Sequence, residues 1–396
     1  MSDKKIPFVS YYSENKISPV SQDISDLNKH FRRRDALYRH LGIPSAFIEG
    51  KKVLEVGPGS GHNALFTLHC RPSAYTLIEG NKIGAEQTQC RLNEYARQHM
   101  IDTEINVQHK ILQDFVHLPE YDLVICEGML PGQEDSVGML RQIMGYAKPG
   151  GVVCITCIDE LSSLSDILRR AMGQAVTDMS LPLLEQAKLL EPFFESHFVN
   201  LRSMSRPVYD WILDNVLHPY TVDAFPVFSI SSAVDAATDL ADAYLSSPRF
   251  LTDWRWYKDI NQCESGENEL AKKLYWENVH NFIDYEALFE VRDINSNMLL
   301  LEKAKEISVL ASSSHLKAPP HSGKLVAIAE VVDSIAEDVS RFNTRSGSSA
   351  LTAARLRDGM RMLREIHESK TPLKVKPKEF AHFFGKGTQY ITFIRK

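Results

Sequence analysis

From residue 53 onward the chain alternates short apolar runs with stretches of helical period. Val53–Val56 reads as a buried strand, and Asn63–Leu68 starts a helix. Ala74–Ile78 is a second strand, Ile83–His99 a long amphipathic helix, and Ile105–Val107 a short third strand. Tyr121–Cys126 is a fourth strand, and Val137–Ala147 is a helix. Lys148-Pro-Gly-Gly151 forms a turn into a fifth strand, Val152–Ile158. Strands and helices alternating at this spacing predict a parallel sheet with helices on both faces. Ahead of it, residues 1–22 look irregular, with Tyr11, Tyr12 and Pro19. Asp23 or Ser25 caps a helix through Leu27, Phe31, Leu37 and Leu41, and Gly42 and Pro44 stop it.

After Asp159 the period becomes mainly helical, over 182–218, 267–289, 297–311, 324–342 and 350–367. Breaks fall at Pro219, Pro226, Pro248, Pro319-Pro320 and the polar stretch Asn343–Ser349. The last run, Gln389–Arg395, is β-branched and aromatic and reads as a strand returning to the sheet. Four regions follow: a helical cover over 1–45, a sheet domain over 46–160, a mainly helical domain over 161–370, and the returning strand within 371–396.

Composition narrows the class of function. Of 396 residues, 43% are hydrophobic and 24% charged, the balance of a soluble globular chain. The net charge of -6 and pI near 6.2 carry no basic field of the kind that holds phosphate backbones, so no nucleic-acid partner is expected. Arg32-Arg33-Arg34 either grips an anion or forms a solvated helix face. Met1–Ile6 is polar and no apolar h-region follows it, and no apolar run approaches the ~18 residues of a membrane span. The six cysteines are scattered. Cys154 and Cys157 sit three apart on a strand, on opposite faces, so they are read as free thiols and not as a metal or redox pair. A cytoplasmic protein without a metal site is expected.

The strongest chemical signal is Val53-Leu-Glu-Val-Gly-Pro-Gly-Ser-Gly-His62. A buried strand runs into a turn in which Gly57, Gly59 and Gly61 have no Cβ, so a ligand can approach the backbone, and a helix follows. A dinucleotide loop has GxGxxG, whereas its third glycine would fall here at His62. Glu79 ends the second strand, where a carboxylate accepts hydrogen bonds from ribose hydroxyls of either kind of nucleotide.

In this order of segments the chain resembles the class I S-adenosylmethionine (SAM)-dependent methyltransferases, over roughly residues 30–160. Val53–Gly61 resembles their E/DxGxGxG loop, Glu79 their ribose-binding acid, Tyr121–Gly128 the motif whose end faces the transferred methyl, and Lys148–Val152 the turn before the fifth strand. The resemblance implies a Rossmann-like α/β sheet and SAM as cofactor. It implies a cofactor set of Glu55, Gly57, Pro58, Gly59, Gly61, His62, Asn63, Glu79, Gly80, Glu127 and Gly128. The stretch after the third strand departs from the family: Asp114 stands a few residues late for the adenine-binding acid, and backbone near Ile111 and Leu112 is expected to hold the adenine. The leading helix, with Arg33, Arg34 and Tyr38, is read either as a cover over the site or as a packing helix.

Methyl transfer to an amine or hydroxyl releases a proton, so a base is sought beyond the strand ends. Glu127 is the first candidate, as base or as contact to the cofactor's amino group. Asp159, with its neighbour Glu160, is the second, as base or as helix cap. Acceptor recognition is assigned to Trp254, Trp256, Tyr257 and Lys258, which lie among Arg249 and Arg255. It is also assigned to His280 and Asn281, on a helical face with Glu277 and Asp284. Each group is read against a packing alternative. A weaker likeness to methyltransferases of bacterial surface-sugar biosynthesis implies an O- or N-methyl transfer to a small polar acceptor such as a sugar, nucleotide sugar or glycan precursor. A non-catalytic SAM-binding scaffold and a nucleic-acid methyltransferase are the alternatives.

Overall fold

In a computed structural model, the described residues are 11–12, 14–15, 22–116, 118–178, 180–201, 206–218, 227–258, 266–312 and 322–396. Pro19, Pro219, Pro226, Cys263 and Pro319-Pro320 lie outside them. The chain divides into two compact units. The first comprises Met1–Cys157, Pro226–Tyr275 and Thr388–Lys396; the second comprises Ile158–Phe225 and Trp276–Gly387.

The strands are β1 (Lys52–Val56), β2 (Ala74–Glu79), β3 (Glu104–His109), β4 (Tyr121–Cys126), β5 (Ala147–Cys157), β6 (Ala241–Ser247), β7 (Leu288–Phe289), β8 (Thr344–Ser346) and β9 (Gln389–Arg395). Seven form the sheet of the first unit, in the order β3-β2-β1-β4-β5-β9-β6. β1 to β5 run parallel, and β9 lies antiparallel between β5 and β6. The order steps outward on both sides of the β1/β4 junction. A ligand crevice opens at such a switch point, outside the carboxyl ends of the strands.

On one face of the sheet, Val53, Tyr75, Leu77, Leu123, Ile125 and Cys154 pack with Tyr38, Phe66, Leu92 and Tyr95 of the helices Leu27–His40, Ala64–His69 and Lys82–His99. On the other face the helix Ser136–Met144 packs on β4 and β5 and meets the helix Ile230–Ala237. Burial of β1 from Val53, β4 from Leu123 and β5 from Val152 explains their mainly apolar runs. Cys126, Cys154 and Cys157 are buried thiols.

The returning strand lies where the sequence predicts it. Three expectations change. Residues 226–275, read as part of the helical region, belong to the first unit and supply β6, so the second unit is interrupted. The leading helix is capped by Asp26, whose carboxylate accepts from the Lys29 amide, and not by Asp23 or Ser25. The run 267–289 is a helix only over Glu267–Asn278; a 3-10 turn, Val279–Phe282, and β7 follow. In the second unit the helices are Leu164–Val176, Leu183–Phe198, Val208–Asn215, Ile294–Leu310, Ser322–Ser340 and Ser349–Glu368.

Candidate active site

The glycine loop leaves β1 at the switch point. Gly57 donates to the Ile78 carbonyl at 2.9 Å, which ties the loop to β2. Gly57, Gly59 and Gly61 all have positive φ, at 73°, 60° and 77°, so side chains would strain this path. At Gly61 a Cβ would also stand 2.7 Å from the Thr88 hydroxyl, so Gly61 brings the loop against the helix Lys82–His99. Gly61 is not among the residues that line the cleft described next, and Thr88 stands against the side where its Cβ would be.

Glu79 holds this geometry from β2. One carboxylate oxygen accepts from the Gly59 amide and the other from the Asn81 amide, each at 2.8 Å. Burial raises its pKa, and the backbone donors oppose that rise. Asn81 in turn caps the next helix by accepting from Gly84. The carboxylate is thus fixed in orientation, with lone pairs left over for a ligand's hydroxyls.

A cleft of about 330 Å³ opens over this loop, within the range of small-ligand sites. It is lined by Glu55, Gly57, Pro58, Gly59, His62, Asn63, Glu79, Gly80, Ile111, Leu112, Glu127 and Gly128, all named from the sequence. Asp114 does not line it. Met129, Thr156, Thr388 and Tyr390 also line it. Thr388 and Tyr390 come from the last strand and its approach, with Tyr390 paired to Thr156 across the β5/β9 ladder. Sequence reasoning missed them, although the return of Gln389–Arg395 to the sheet was the signal that could have found them.

Glu127 follows β4 and meets the leading helix. Its Oε1 accepts from Arg34 at 2.5 Å and from the Tyr38 hydroxyl at 2.9 Å, and Asn63 Nδ2 stands 3.4 Å from Oε2. Arg34 also donates to Tyr38 at 2.8 Å. The leading helix is therefore wired into the cleft wall through buried side chains. Glu127 is committed to a cation and a phenol, a positioning arrangement and not that of a free base. Burial pushes the phenols of Tyr38 and Tyr390 up. It pushes the His62 imidazole down to about 4, and His62 Nδ1 sits 2.5 Å from the Ser60 hydroxyl. Glu55, buried in the cleft wall, is raised to about 7 by burial, with the Tyr75 hydroxyl bonded to it as the opposing influence.

The other sequence candidates fall elsewhere. Asp159 is buried in the second unit, where it accepts from the Ser162 amide at 2.8 Å and its carbonyl accepts from Ser162 and Ser163. This is the geometry of a turn that opens a helix. Glu160 beside it is buried, which raises its pKa. His280 and Asn281 are buried too. His280 Nε2 is 2.8 Å from the Glu290 carbonyl, and Asn281 accepts from the Phe289 amide. They do not share a helical face with Asp284, because the helix ends at Asn278; Asp284 is bound to Arg355 and Thr352. Trp254, Trp256, Tyr257 and Lys258 lie exposed in the first unit, in the segment after β6. No cluster of three or more metal-ligating side chains occurs among the described residues, and no described helix is long and apolar enough to cross a membrane.

Residues 29–198 match a family model described as a methyltransferase domain. A tRNA U34 carboxymethyltransferase of Nautilia profundicola is 23% identical over 219 residues, which cover 51% of this chain and 71% of that protein. Among solved structures, a putative sarcosine dimethylglycine methyltransferase from Galdieria sulphuraria aligns over 92% of this chain and 85% of its own, at 11% identity and a TM-score of 0.35. The N-methyltransferase NodS from Bradyrhizobium japonicum, in complex with S-adenosyl-L-homocysteine, aligns over 38% of this chain and 74% of its own, at 16% identity and a TM-score of 0.31. For two further solved matches the chain spans 44% and 45% of their length.

Over residues 29–198 the chain is thus similar to a methyltransferase domain, and S-adenosylmethionine is the cofactor that the sequence resemblance implies. The residues present fit that group. Asn63 Oδ1 is buried with no hydrogen-bond partner and belongs to a side chain of the cleft wall, ready to accept from an ammonium. Gly128, at φ 72°, has open space where a Cβ would stand. Glu79 offers fixed acceptors for a ribose.

Proposed function

We propose that the chain is a SAM-dependent methyltransferase that alkylates an oxygen or nitrogen of a small polar acceptor, best described as a sugar, nucleotide sugar or glycan precursor. The observation that carries the cofactor half is the amide-oriented Glu79 beside the Gly57–Gly61 turn, on a cleft with an unpartnered buried acceptor at Asn63. SAM supplies an activated methyl on a sulfonium. The protein's work is then to align and desolvate. In this reading Glu79 takes the ribose hydroxyls, and backbone at Ile111 and Leu112 flanks the adenine. Asn63 and the Arg34-held Glu127 receive the amino group, and Glu55 adds negative charge. Thr156, Thr388 and Tyr390 form the wall nearest the methyl. Asp159 is kept as a candidate base only for an acceptor that must lose its proton during transfer. Trp254, Trp256, Tyr257 and Lys258 are the acceptor-side residues. His280 and Asn281 would act only by holding the second unit in shape.

A nucleic-acid acceptor is the second reading, favoured by the similarity to a protein named for tRNA U34. The net charge of -6 weighs against it.

Calorimetric titration with SAM, S-adenosylhomocysteine and NADH tests the proposal. Micromolar binding of the first two is expected, abolished in Gly59→Arg, which puts a large side chain at a cleft-lining position with φ 60°. Binding of NADH alone would overturn the reading and return the loop to a dinucleotide role.

A further inference from the structure

The ladder between β9 and its neighbours sets a starting point. Tyr390 pairs with Thr156 on one side and with Ser247 on the other, and both Tyr390 and Thr156 line the methyl end of the cleft. Ser247 is the last residue of β6, so the segment that follows leaves the sheet beside that end of the cleft. Arg249 fastens its beginning, donating to the Arg39 carbonyl at 2.8 Å at the end of the leading helix.

Beyond Arg249 the segment turns its aromatic rings outward. Trp254 is 93% exposed, Tyr257 71% and Trp256 57%. Water does not favour three such rings on one short stretch, and exposed apolar clusters of this kind mark binding surfaces. Arg255 lies between the two tryptophans, bonded to both oxygens of Asp253 and to Glu267 at 2.9 Å. Lys258 holds its ammonium 4.9 Å from the Trp256 ring centre and 5.8 Å from that of Tyr257.

These details select among occupants. A bilayer would take the tryptophans only by drawing in two carboxylates and a guanidinium wedged between them, which hydrocarbon penalises. A nucleic acid is gripped through many phosphates, typically six to ten; here Arg255 is already neutralised, and only Arg249 and Lys258 are without a carboxylate partner among the described residues. A sugar chain presents apolar C–H faces and hydroxyl edges together. It needs open ring faces beside both donors and acceptors, which Trp254, Tyr257, Asp253, Arg255 and Glu267 provide. The rings are exposed, which suits a chain of several units better than a single one.

We propose that the segment Arg249–Lys258 is a platform for an oligosaccharide, weakly acidic in character, that leads one of its units to the methyl end of the cleft. This deepens the methyltransferase reading and rests on it: the acceptor atom belongs to a longer saccharide.

The test is titration of the full chain, followed by tryptophan fluorescence, with hexagalacturonate and cellohexaose as probes, their monomers as references, and S-adenosylhomocysteine titrated into the same samples. At least one hexamer should bind ten or more times tighter than its monomer. Trp254→Ala and Trp256→Ala should each weaken that binding at least tenfold and leave the S-adenosylhomocysteine affinity unchanged. Failure of both hexamers to bind would overturn the platform, as would equal hexamer binding by the two variants. A response confined to oligouridylate or to phosphatidylglycerol vesicles would overturn it in favour of a nucleic acid or a membrane. Hexamer binding without any affinity for S-adenosylhomocysteine or SAM would instead sink the methyltransferase reading and leave a saccharide-binding surface.

Discussion

The cleft of the first unit and the interior of the second both withdraw charged groups from water, and they treat them differently. In the second unit the buried groups are consumed internally. Asp284 accepts from Arg355 at 2.9 and 3.1 Å and from Thr352 at 2.7 Å. Arg169, fully buried, donates to the Phe383 carbonyl at 2.9 Å and lies 4.1 Å from the Phe384 ring centre. In the first unit Glu79 and Asn63 keep acceptor capacity turned to a cavity. Burial and a shifted pKa alone therefore do not mark a site; a space for the missing partner must adjoin the group. His197 makes the same point. Both of its ring nitrogens lack partners, yet it lies among Phe193, Phe194 and Phe380 and lines no cleft described here.

The contrast can be broken most sharply at Asp284. Asp284→Ala strands Arg355 with Glu286 as its remaining carboxylate, and a loss of roughly 3–5 kcal/mol is expected. Urea denaturation measures it, and S-adenosylhomocysteine affinity in the native baseline should not move. Glu79→Gln should do the reverse. Ligand affinity should drop about tenfold, or ~1.4 kcal/mol, while the urea midpoint shifts little. If Glu79→Gln unfolds the protein and leaves affinity intact, the carboxylate is structural like Asp284.

A third effect is pH-dependent. Glu55 is neutral below its raised pKa of about 7, where it no longer attracts a cationic cofactor. SAM affinity should therefore fall as pH drops through 7, by at most about tenfold per unit. Calorimetry between pH 6 and 8 should find that slope, and Glu55→Gln should flatten it. A second pH effect, on stability, is expected at His197, whose burial holds its pKa far below 6.5. The unfolded chain binds this proton and the folded one does not. Stability is thus complete above pH 6.5 and lost as pH falls below it, at up to about 1.4 kcal/mol per unit for one proton. His197→Phe should shrink the difference between urea midpoints at pH 5 and 7; an unchanged difference would assign the acid sensitivity to His218 and His280, also held near 4 by burial.

What was legible in the sequence was what chain-local physics encodes. Strands buried on both faces are mostly apolar along their length, so β1, β4 and β5 stood out. The glycine loop and Glu79 were legible because each sits at a strand's carboxyl end, where the fold puts ligands. The link from Arg34 and Tyr38 to Glu127 spans about 90 residues and leaves no periodic trace. Nor does period decide which polar face turns inward: His280 and the Trp254–Lys258 stretch were equal candidates, and one proved buried and the other exposed. Residues 226–275 were taken for part of the helical region because β6, Ala241–Ser247, carries Asp242 and two serines and half-buried positions instead of an apolar run.

The antiparallel insertion of β9 also sets a timetable. Its ladder partner β5 is complete about 230 residues before β9 begins. At a ribosomal pace of roughly 5–20 residues per second, that interval is on the order of 10–50 s. Throughout it, the edge of β5 and the position of Tyr390 beside the cleft stand open. A nascent chain thus passes through a stage with its glycine loop made and its far cleft wall missing. Chaperones and stray strands have their longest access to the molecule in that window.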